Sequence, residues 1–289
     1  MKKECLSLKY EEKLSCMLSN INVALSEFTF ANLYLFREKH NYQVLDDGED
    51  LFLSGVTYDG KTFLMPLCDL SNEENRDYFL KLIKIASDYD MIYPVPEKWL
   101  SQFSPDSFMF SYIDDDSDYL YAIDTFVSYP GRKLHGKRNL VAQFLRDYNA
   151  EILPLNKENA HLAAEILNYW QENVAAKKDK TDFFPCLEAL QNIEKLNQIG
   201  EIFLIDGIPQ GFVMGEQYNK KYCVIHFAKA NNEIKGIYQY MFSIFAGRNK
   251  EALCDFVNLE QDLGKEGLRA MKKSYLPIEM VCKYRVFVR

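Results

Sequence analysis

The chain has 289 residues, of which 48% are hydrophobic and 14% aromatic, and its formal net charge is -8. This composition indicates a folded globular protein whose length favours two domains, and the acidic balance excludes nucleic-acid binding over the whole surface. Because no apolar run approaches the ~18 residues that span a bilayer and the N-terminus lacks the apolar core of a signal peptide, we expect a cytoplasmic protein without an integral membrane segment.

The first half predicts strands separated by tight turns. Asp47-Gly48 and Asp59-Gly60 each lie between apolar runs, an arrangement typical of β-hairpins. The spacing of Ser71 and Glu74 is that of a capping box and predicts a helix that ends near Tyr89. The aromatic residues of the segment 28–36 are predicted to be core. The apolar segments that we expect to be extended cover residues 42–45, 50–56, 61–67 and 107–113, followed by a mixed segment over 118–129.

A bridging helix is predicted in the middle of the chain. Pro130-Gly131 breaks the preceding segment, and from Gly136 onward apolar residues recur at helical spacing. We place the domain junction near residue 150, with domains over 1–150 and 151–289. The predicted apolar stripe of this helix consists of Leu140, Val141, Phe144, Leu145 and Tyr148.

The second half has the element order of the N-acetyltransferase-like (GNAT-like) α/β fold. A strand and two helices are followed by three antiparallel strands that turn at Asp206-Gly207 and Asn219-Lys220. The remainder alternates helix, strand, helix and strand. In this fold a mixed sheet separates between its fourth and fifth strands, and a ligand enters the gap. The predicted elements cover residues 151–155, 157–174, 184–197, 201–206, 211–218, 222–230, 235–246, 254–258, a helix from 262, and 277–288.

Several stretches resemble bacterial proteins that correspond to the C-terminal region of phosphatidylglycerol lysyltransferases. The most specific is VNLEQDLGKEGLRAMKKSYLPIEMVCKY, over residues 257–284. The resemblance implies an α/β protein of two tandem GNAT-like domains with mixed sheets, joined by a long helix. It also implies an activity that moves an aminoacyl group from a charged transfer RNA to a hydroxyl or amine. The other stretches that carry the resemblance are residues 26–44, 134–144, 184–200 and 226–239.

The predicted catalytic residues are Glu260, Asn258 and His226. Glu260 and Asn258 lie where a strand ends, which is the usual ligand edge of an open α/β sheet, and a carboxylate there can bind an ammonium group or act as a base. Asp262, in contrast, can simply cap a helix. His226 lies on the fourth strand of the second domain, where it is either a proton shuttle or a satisfied core residue.

Several cations and one glycine are predicted to bind an anionic donor. Lys265, Arg269, Lys272 and Lys273 fall on one face of the predicted helix, and Arg269 suits bidentate phosphate contact. The alternative is a solvated lysine-rich face. Gly236 opens the next helix, where backbone N–H groups can hold an anion. Lys137 and Arg138 lie at the start of the predicted bridging helix, where the helix dipole disfavours cations. Such an arrangement indicates a bound anion, so both residues are added to the predicted donor site.

The remaining expectations concern cofactors and rival functions. Seven cysteines without CxxC spacing and four histidines outside HxxxH contexts predict reduced, mostly buried thiols and no metal site. The co-substrate is expected to be an aminoacyl-transfer RNA or an acyl-coenzyme A rather than a bound cofactor. The alternatives are therefore a coenzyme A-dependent N-acyltransferase and a non-catalytic anion-binding module. The resemblance leads us to expect a carboxylate at position 228, so Ala228 favours the non-catalytic module.

Overall fold

The computed structural model describes residues 1–219 and 221–289, and it divides into two compact units. Unit 1 comprises Met1–Asp118, Gln261–Arg269 and Met280–Arg289, and unit 2 comprises Tyr119–Glu260 and Ala270–Glu279. The boundary between the two units therefore lies after Asp118, whereas the predicted junction lay near residue 150. Each unit also includes segments from the C-terminal part of the chain. The turn predicted at Asn219-Lys220 includes Lys220, which lies outside the described residues.

The described residues form two sheets with helices between their strands. The strands are β1 (Lys2–Cys5), β2 (Gln43–Asp46), β3 (Leu51–Val56), β4 (Thr62–Met65), β5 (Met91–Val95), β6 (Phe108–Ser111), β7 (Asp118–Ala122), β8 (Ala150–Pro154), β9 (Ile199–Ile205), β10 (Ile208–Tyr218), β11 (Tyr222–Ala230), β12 (Phe256–Asn258), β13 (Glu279–Val281) and β14 (Tyr284–Val288). The helices are α1 (Glu11–Ser19), α2 (Phe30–Leu35), α3 (Arg37–His40), α4 (Arg76–Ala86), α5 (Ile123–Ser128), α6 (His135–Asp147), α7 (Ala160–Glu172), α8 (Phe183–Gln191), α9 (Ile237–Glu251) and α10 (Glu266–Lys273).

Unit 1 contains a sheet in the order β1-β2-β3-β4-β5-β14-β6. The two predicted hairpins are present as the antiparallel pairs β2/β3 and β3/β4, and Gly60 has the positive φ of +82° that its turn requires. The aromatic core predicted over residues 28–36 is confirmed, since Phe28, Phe30 and Tyr34 are buried.

The helix predicted from Ser71 begins later in the structure. The Asp69 carboxylate accepts hydrogen bonds from the hydroxyl and the backbone N–H of Ser71, so Ser71 does not cap a helix. Instead, the Asn72 side chain accepts from the N–H of Glu74, and a short 3-10 turn leads into α4. The capping-box prediction was therefore right about the helix and wrong about its first residue.

The second sheet is built mainly from unit 2, in the order β13-β7-β12-β11-β10-β9-β8. The pair β11/β12 is parallel, and its register runs from Tyr222 opposite Phe256 to Val224 opposite Asn258. Beyond that point β12 ends while β11 continues to Ala230, so the backbone pairing of the two strands stops, and we call the unpaired position beyond it the gap between β11 and β12.

Other predicted elements also differ in detail in the structure. The mixed segment over 118–129 is the strand β7 followed by the helix α5, and the strand predicted over 277–288 is two strands that join different sheets. In α6 only Phe144 of the predicted stripe is buried, and Leu145 is 56% exposed.

The seven cysteines are free thiols, of which three rather than most are buried.

No helix in the described part of the chain is both long enough and apolar enough to cross a lipid bilayer.

Candidate functional site

A β-bulge places His226 at the gap between β11 and β12. In the pairing of β10 with β11, Met214 lies opposite Phe227 and the next residue, Gly215, lies opposite Ile225, so His226 is the extra residue of the bulge. Gly215 is required here because a Cβ atom would lie 1.8 Å from the carbonyl oxygen of Val224. Bulges redirect a side chain relative to the regular strand, and they are frequent beside functional sites.

The His226 imidazole is held between two carboxylates of unit 2. Its Nδ1–H donates to Glu260 Oε1 at 2.8 Å, and its Nε2–H donates to Glu216 Oε1 at 2.9 Å. The imidazole is fully buried, whereas the side chains of Glu216 and Glu260 are 11% and 16% exposed. We call this group the Glu-His-Glu clamp. Because an ionised carboxylate can only accept, both ring nitrogens donate, and the clamp holds the doubly protonated imidazolium.

Glu260 is positioned by its backbone as well as by His226. The residue has a positive φ of +57°, which is uncommon for a residue other than glycine and marks a constrained position. Asn258 Oδ1 accepts from the Glu260 N–H at 2.6 Å, and Lys272 Nζ donates to the Glu260 carbonyl oxygen at 3.1 Å. The three residues predicted to be catalytic therefore lie together, and Asn258 acts on Glu260 through the backbone.

The clamp changes the protonation of His226. Burial alone would lower the pKa of His226, but its hydrogen bonds to Glu216 and Glu260 outweigh that effect and raise the pKa from 6.5 to about 10. The imidazole is therefore charged near neutral pH. An imidazolium with both N–H groups engaged is poorly suited to accept a proton, so the geometry favours a positioning role for His226 over that of a shuttle.

This raised pKa predicts how stability depends on pH. Since the folded-state pKa lies above the unfolded one, the clamp's contribution is complete below about pH 6.5 and is lost as the pH rises towards 10. We expect the free energy of unfolding to fall by up to about 1.4 kcal/mol per pH unit in this window. Urea denaturation measures this free energy for the wild type and for His226→Gln, which keeps an amide donor. The two free energies of unfolding, plotted against pH, should converge as the pH rises. A constant difference between them would contradict the assignment.

Glu216 was missed by the sequence analysis. It is a single carboxylate at the end of the apolar run GFVMG of β10, and its strand was recognised only as part of the meander. A lone ionisable residue in a buried strand is a signal that could have identified it, because such residues are seldom buried without a partner. Ala228, whose missing carboxylate favoured a non-catalytic protein, lies on β11 and leaves the clamp intact.

The cationic stripe predicted on the last helix is divided in the structure. The helix α10 begins at Glu266 and not at Asp262, whose carboxylate instead accepts from the N–H of Gly264 in a turn. Lys272 is buried and donates to the Glu260 carbonyl oxygen, while Lys273 is exposed. The predicted face is therefore not a continuous anion-binding surface.

The guanidinium of Arg269 is occupied by carboxylates of unit 1. It donates through Nε and Nη2 to the two oxygens of Asp262, both at 2.9 Å, and through Nη2 to Asp115 at 2.5 Å. A guanidinium that is engaged in this way has little capacity left for a phosphate, so the geometry favours a structural role.

Three aspartates of the segment 113–118 pair with cations from the C-terminal part of the chain in unit 1. Asp115, Asp116 and Asp118 belong to the run IDDDSD, and they contact Arg269, Arg285 and Lys283 respectively, at 2.5, 2.8 and 2.7 Å. These carboxylates therefore neutralise three cations of the C-terminal segment within the protein, one of which, Arg269, was predicted to bind an anion.

The glycine predicted to hold an anion is explained by packing. Gly236 has φ of +86°, and a Cβ atom there would lie 2.2 Å from the carbonyl oxygen of Leu140 in α6. Arg138 donates to the carbonyl oxygens of Tyr129 and Gly131. Lys137 donates to Ser274 Oγ at 2.8 Å and lies 4.0 Å above the ring of Tyr275, and burial lowers its pKa.

A glycine-to-alanine pair tests the packing explanation. We expect Gly236→Ala to lower the free energy of unfolding by about 1–3 kcal/mol, because the side chain meets both the positive φ and the Leu140 carbonyl. Gly247→Ala is the matched control: this glycine lies within α9 with open space around it, so the change should stabilise by up to about 1 kcal/mol. Equal effects in chemical denaturation would contradict the packing explanation.

The two sheets define the class of protein. Each sheet contains a parallel pair with antiparallel neighbours, β4/β5 in unit 1 and β11/β12 in unit 2. This is a mixed α/β architecture of tandem GNAT-like type, as the sequence analysis predicted. Residues 19–287 match the family described as phosphatidylglycerol lysyltransferase, C-terminal. The chain therefore belongs to this family.

Solved structures share the fold across nearly the whole chain. A conserved protein of unknown function from Bacteroides thetaiotaomicron superposes with a TM-score of 0.88 at 23% identity, covering 100% of both chains. L-PGS from Bacillus licheniformis has a TM-score of 0.62 at 15% identity, over 96% of this chain and 91% of that one. FemX has a TM-score of 0.61 at 12% identity, over 100% and 98%. At these identities the likeness concerns the fold. No curated protein matches the sequence.

Proposed function

We propose that unit 2 transfers an aminoacyl group from a charged transfer RNA to a hydroxyl or amine acceptor. The observation that carries the proposal is the Glu-His-Glu clamp at the gap between β11 and β12. Membership of the phosphatidylglycerol lysyltransferase family supports the reaction class. A cytoplasmic location, expected from the sequence, is consistent with a transfer-RNA substrate.

The chemistry assigns the central role to Glu260. In the transfer, the acceptor oxygen or nitrogen forms a bond to the ester carbonyl carbon and loses a proton, while the RNA hydroxyl oxygen leaves and gains one. Glu260 has the most exposed side chain of the clamp, so it is the member that a substrate reaches most readily. Its carboxylate either receives the acceptor's proton or binds the ammonium of the aminoacyl group. His226 holds the carboxylate in place.

Two of the predicted cations remain suited to the phosphates of the donor. Lys137 contacts Ser274, whose neighbour in the chain is the exposed Lys273, so the two lysines lie near each other in unit 2. Partial burial and the nearby ring of Tyr275 hold Lys137 in a defined position. Lys137 donates only to a neutral hydroxyl among the hydrogen bonds of the described residues, whereas Arg269 donates to carboxylates and Arg138 and Lys272 donate to backbone carbonyl oxygens. We therefore assign donor binding to Lys137 and Lys273.

Incubation with charged transfer RNAs tests the proposal directly. Purified protein is mixed with each of a set of transfer RNAs carrying a radiolabelled amino acid, together with hydroxyl and amine acceptors, and loss of label from the RNA is followed. We expect loss above the spontaneous rate with at least one RNA. Turnover with none of them would overturn the proposal. In that event, salt-sensitive RNA binding without product would support the non-catalytic alternative, and thermal stabilisation by coenzyme A would support the coenzyme A-dependent one.

A further inference from the structure

The strand β11 has an accessible edge beyond the end of β12. The pairing of β12 with β11 reaches only as far as Asn258, opposite Val224, whereas β11 continues to Ala230. Residues 223–230 of β11 are buried with the exception of Ala228, which is partly exposed. The accessible residue of this part of the strand therefore lies beside the gap between β11 and β12.

The hydrogen bonds between β10 and β11 show where the backbone groups of Ala228 point. In an antiparallel pair, residues that bond to the partner strand alternate with residues whose N–H and C=O point to the opposite side. Asn231 N–H donates to the Gln210 carbonyl oxygen at 2.8 Å. The neighbouring pair, Ala230 opposite Gly211, is therefore of the second kind. Ala228 lies two positions away in the same regular ladder, so its N–H and C=O also point away from β10 and towards the gap.

These two backbone groups of Ala228 are free to bind a ligand. The N–H of Ala230 points the same way and is already engaged, because it donates to Tyr238 Oη at 3.2 Å. Within residues 1–219 and 221–289, neither the N–H nor the C=O of Ala228 bonds to a group outside the strands. One donor and one acceptor thus lie at the gap with the spacing of a strand edge, and such an edge is a template for a further extended chain.

An extended peptide complements this edge. A peptide backbone presents a C=O and an N–H to the same side at strand spacing, and main-chain hydrogen bonds to a sheet edge are a common way of binding peptides. A chain that continues the line of β12 runs parallel to β11. In that direction the C=O of its first residue accepts from Ala228 N–H, and the N–H of its third residue donates to the Ala228 carbonyl oxygen. The second residue then lies opposite Ala228.

This placement brings the start of the peptide to the Glu-His-Glu clamp. His226 is two positions before Ala228, which corresponds to about 7 Å along a strand. The first residue of the peptide therefore lies opposite Phe227, and its amino end lies beside His226. Glu260 has the most exposed side chain of the clamp, so a hydroxyl or amine of that first residue comes close to its carboxylate.

The turn that follows β11 favours a peptide over coenzyme A, whose amide-containing chain ends in phosphates. Asn231 accepts from the N–H groups of Glu233 and Ile234, at 3.0 Å through its side chain and at 3.2 Å through its carbonyl oxygen. The backbone of Gly236 packs so closely on Leu140 that a Cβ atom would lie 2.2 Å from its carbonyl oxygen. Anion binding at a helix N-terminus needs free N–H groups, and here they are occupied or covered.

We propose that the edge of β11 at Ala228 binds an extended peptide parallel to the strand, and that this peptide accepts the aminoacyl group. The binding does not depend on the transfer, whereas the acceptor role rests on the function proposed for unit 2. In the transfer, the hydroxyl or amine of the first residue forms a bond to the ester carbonyl carbon and loses its proton to Glu260. The carboxyl group then passes that proton to the RNA oxygen as the ester bond breaks.

A peptide titration tests the binding without any RNA. Ser-Ala-Ala-Ala amide is added to the full chain carrying isotope-labelled alanine, and the amide signal of Ala228, identified by its loss in Ala228→Gly, is followed by NMR. We expect a saturable shift to lower field, because the N–H gains a hydrogen bond. No saturable shift would overturn the proposal, and so would a shift produced by coenzyme A and not by the peptide.

Two methylated peptides test the assigned register. N-methylation of the third residue removes the N–H that donates to Ala228, so we expect binding about tenfold weaker or more. N-methylation of the second residue is the matched control, because that N–H points away from β11, and affinity should change less than twofold. Equal affinities of the two methylated peptides would overturn the proposal.

A pair of variants locates the peptide on the strand. Ala228→Pro removes the N–H at a position where no strand bond uses it, which is where a strand tolerates proline, and we expect about tenfold weaker peptide binding. Ala228→Ser keeps the N–H and should bind as the wild type does. Equal affinities of the two folded variants would contradict the assigned position, and the methylated peptides decide if Ala228→Pro does not fold.

Acceptor assays separate this inference from the proposed function. With a charged RNA that is turned over, we expect label on Ser-Ala-Ala-Ala amide and at least tenfold less on serine amide, which has no third residue to pair with Ala228. Equal labelling of the two would overturn the acceptor role. A saturable shift of Ala228 without turnover of any charged RNA would support the peptide site and contradict the transfer proposed for unit 2.

Discussion

Lys283→Met is expected to lower the free energy of unfolding by about 3–5 kcal/mol at pH 8, since it leaves buried carboxylates without their cation. The Lys283 side chain is fully buried, and its Nζ contacts Glu27 at 2.5 Å, Asp118 at 2.7 Å and the Gln261 side-chain oxygen at 2.6 Å. Methionine fills a similar volume, so the loss reports the charge and not a cavity.

The size of this loss should depend on pH. Burial raises the pKa of Glu27 to about 7, against the opposing effect of Lys283, so removing the lysine raises that pKa further. Because the folded-state pKa lies above the unfolded one, stability is retained at low pH and lost as the pH rises. The difference between Lys283→Met and the wild type should therefore be smaller at pH 5 than at pH 8.

Urea denaturation at both pH values measures this difference. Lys250→Met is the matched control, because Lys250 pairs with Asp124 at 2.5 Å but the two side chains are 50% and 61% exposed. Exposed pairs contribute at most about 1 kcal/mol, so this control should change little at either pH. A loss below 1 kcal/mol for Lys283→Met, or a loss independent of pH, would contradict the account of the buried cluster.

Glu260→Gln is expected to lower kcat/KM for aminoacyl transfer by about 10²-fold or more if the carboxylate acts on the substrate. Its amide oxygen can still accept from His226 Nδ1–H, so the fold and the bulge should be retained. This expectation rests on the proposed transfer from charged RNA, and the measurement is the initial rate of label transfer with the RNA identified in the screen.

Glu216→Gln is the matched comparison for Glu260→Gln. Both carboxylates accept from the same imidazole at nearly the same distance, 2.9 Å for Glu216 and 2.8 Å for Glu260. If Glu260 contacts the substrate, its variant should lose at least tenfold more activity than Glu216→Gln. Equal losses would instead show that both residues serve only to hold the imidazolium.

Much of unit 2 and of the first sheet could be predicted from local sequence. Asp-Gly turns between apolar runs predicted the hairpins of β2, β3 and β4 because this turn chemistry acts over a few residues. Helical spacing located α7 and α8, and the order of elements indicated the fold class. Glu260, Asn258 and His226 were each predicted to be catalytic, and the structure brings them together because the fold places the ends of adjacent strands side by side.

Ionic partners could be decided only by the tertiary structure. Asp115 and Arg269 are separated by 154 positions, and no local pattern indicates that they meet. The sequence shows the sign of each charge but not the group opposite it, so Arg269 and Lys272 resembled ligands for phosphate. The same limit concealed Glu216, whose importance depends on a bulge in the neighbouring strand.

The sequence by itself indicated the family, most of the element order, and Glu260, Asn258 and His226 as site residues, because turn chemistry, hydrophobic period and motif spacing act over short distances along the chain. The tertiary structure alone decided which charges are neutralised, where the predicted strand over 277–288 divides, and which carboxylates enclose His226. Ion pairs and burial depend on distances through space, and these are set only when segments far apart in the chain pack together.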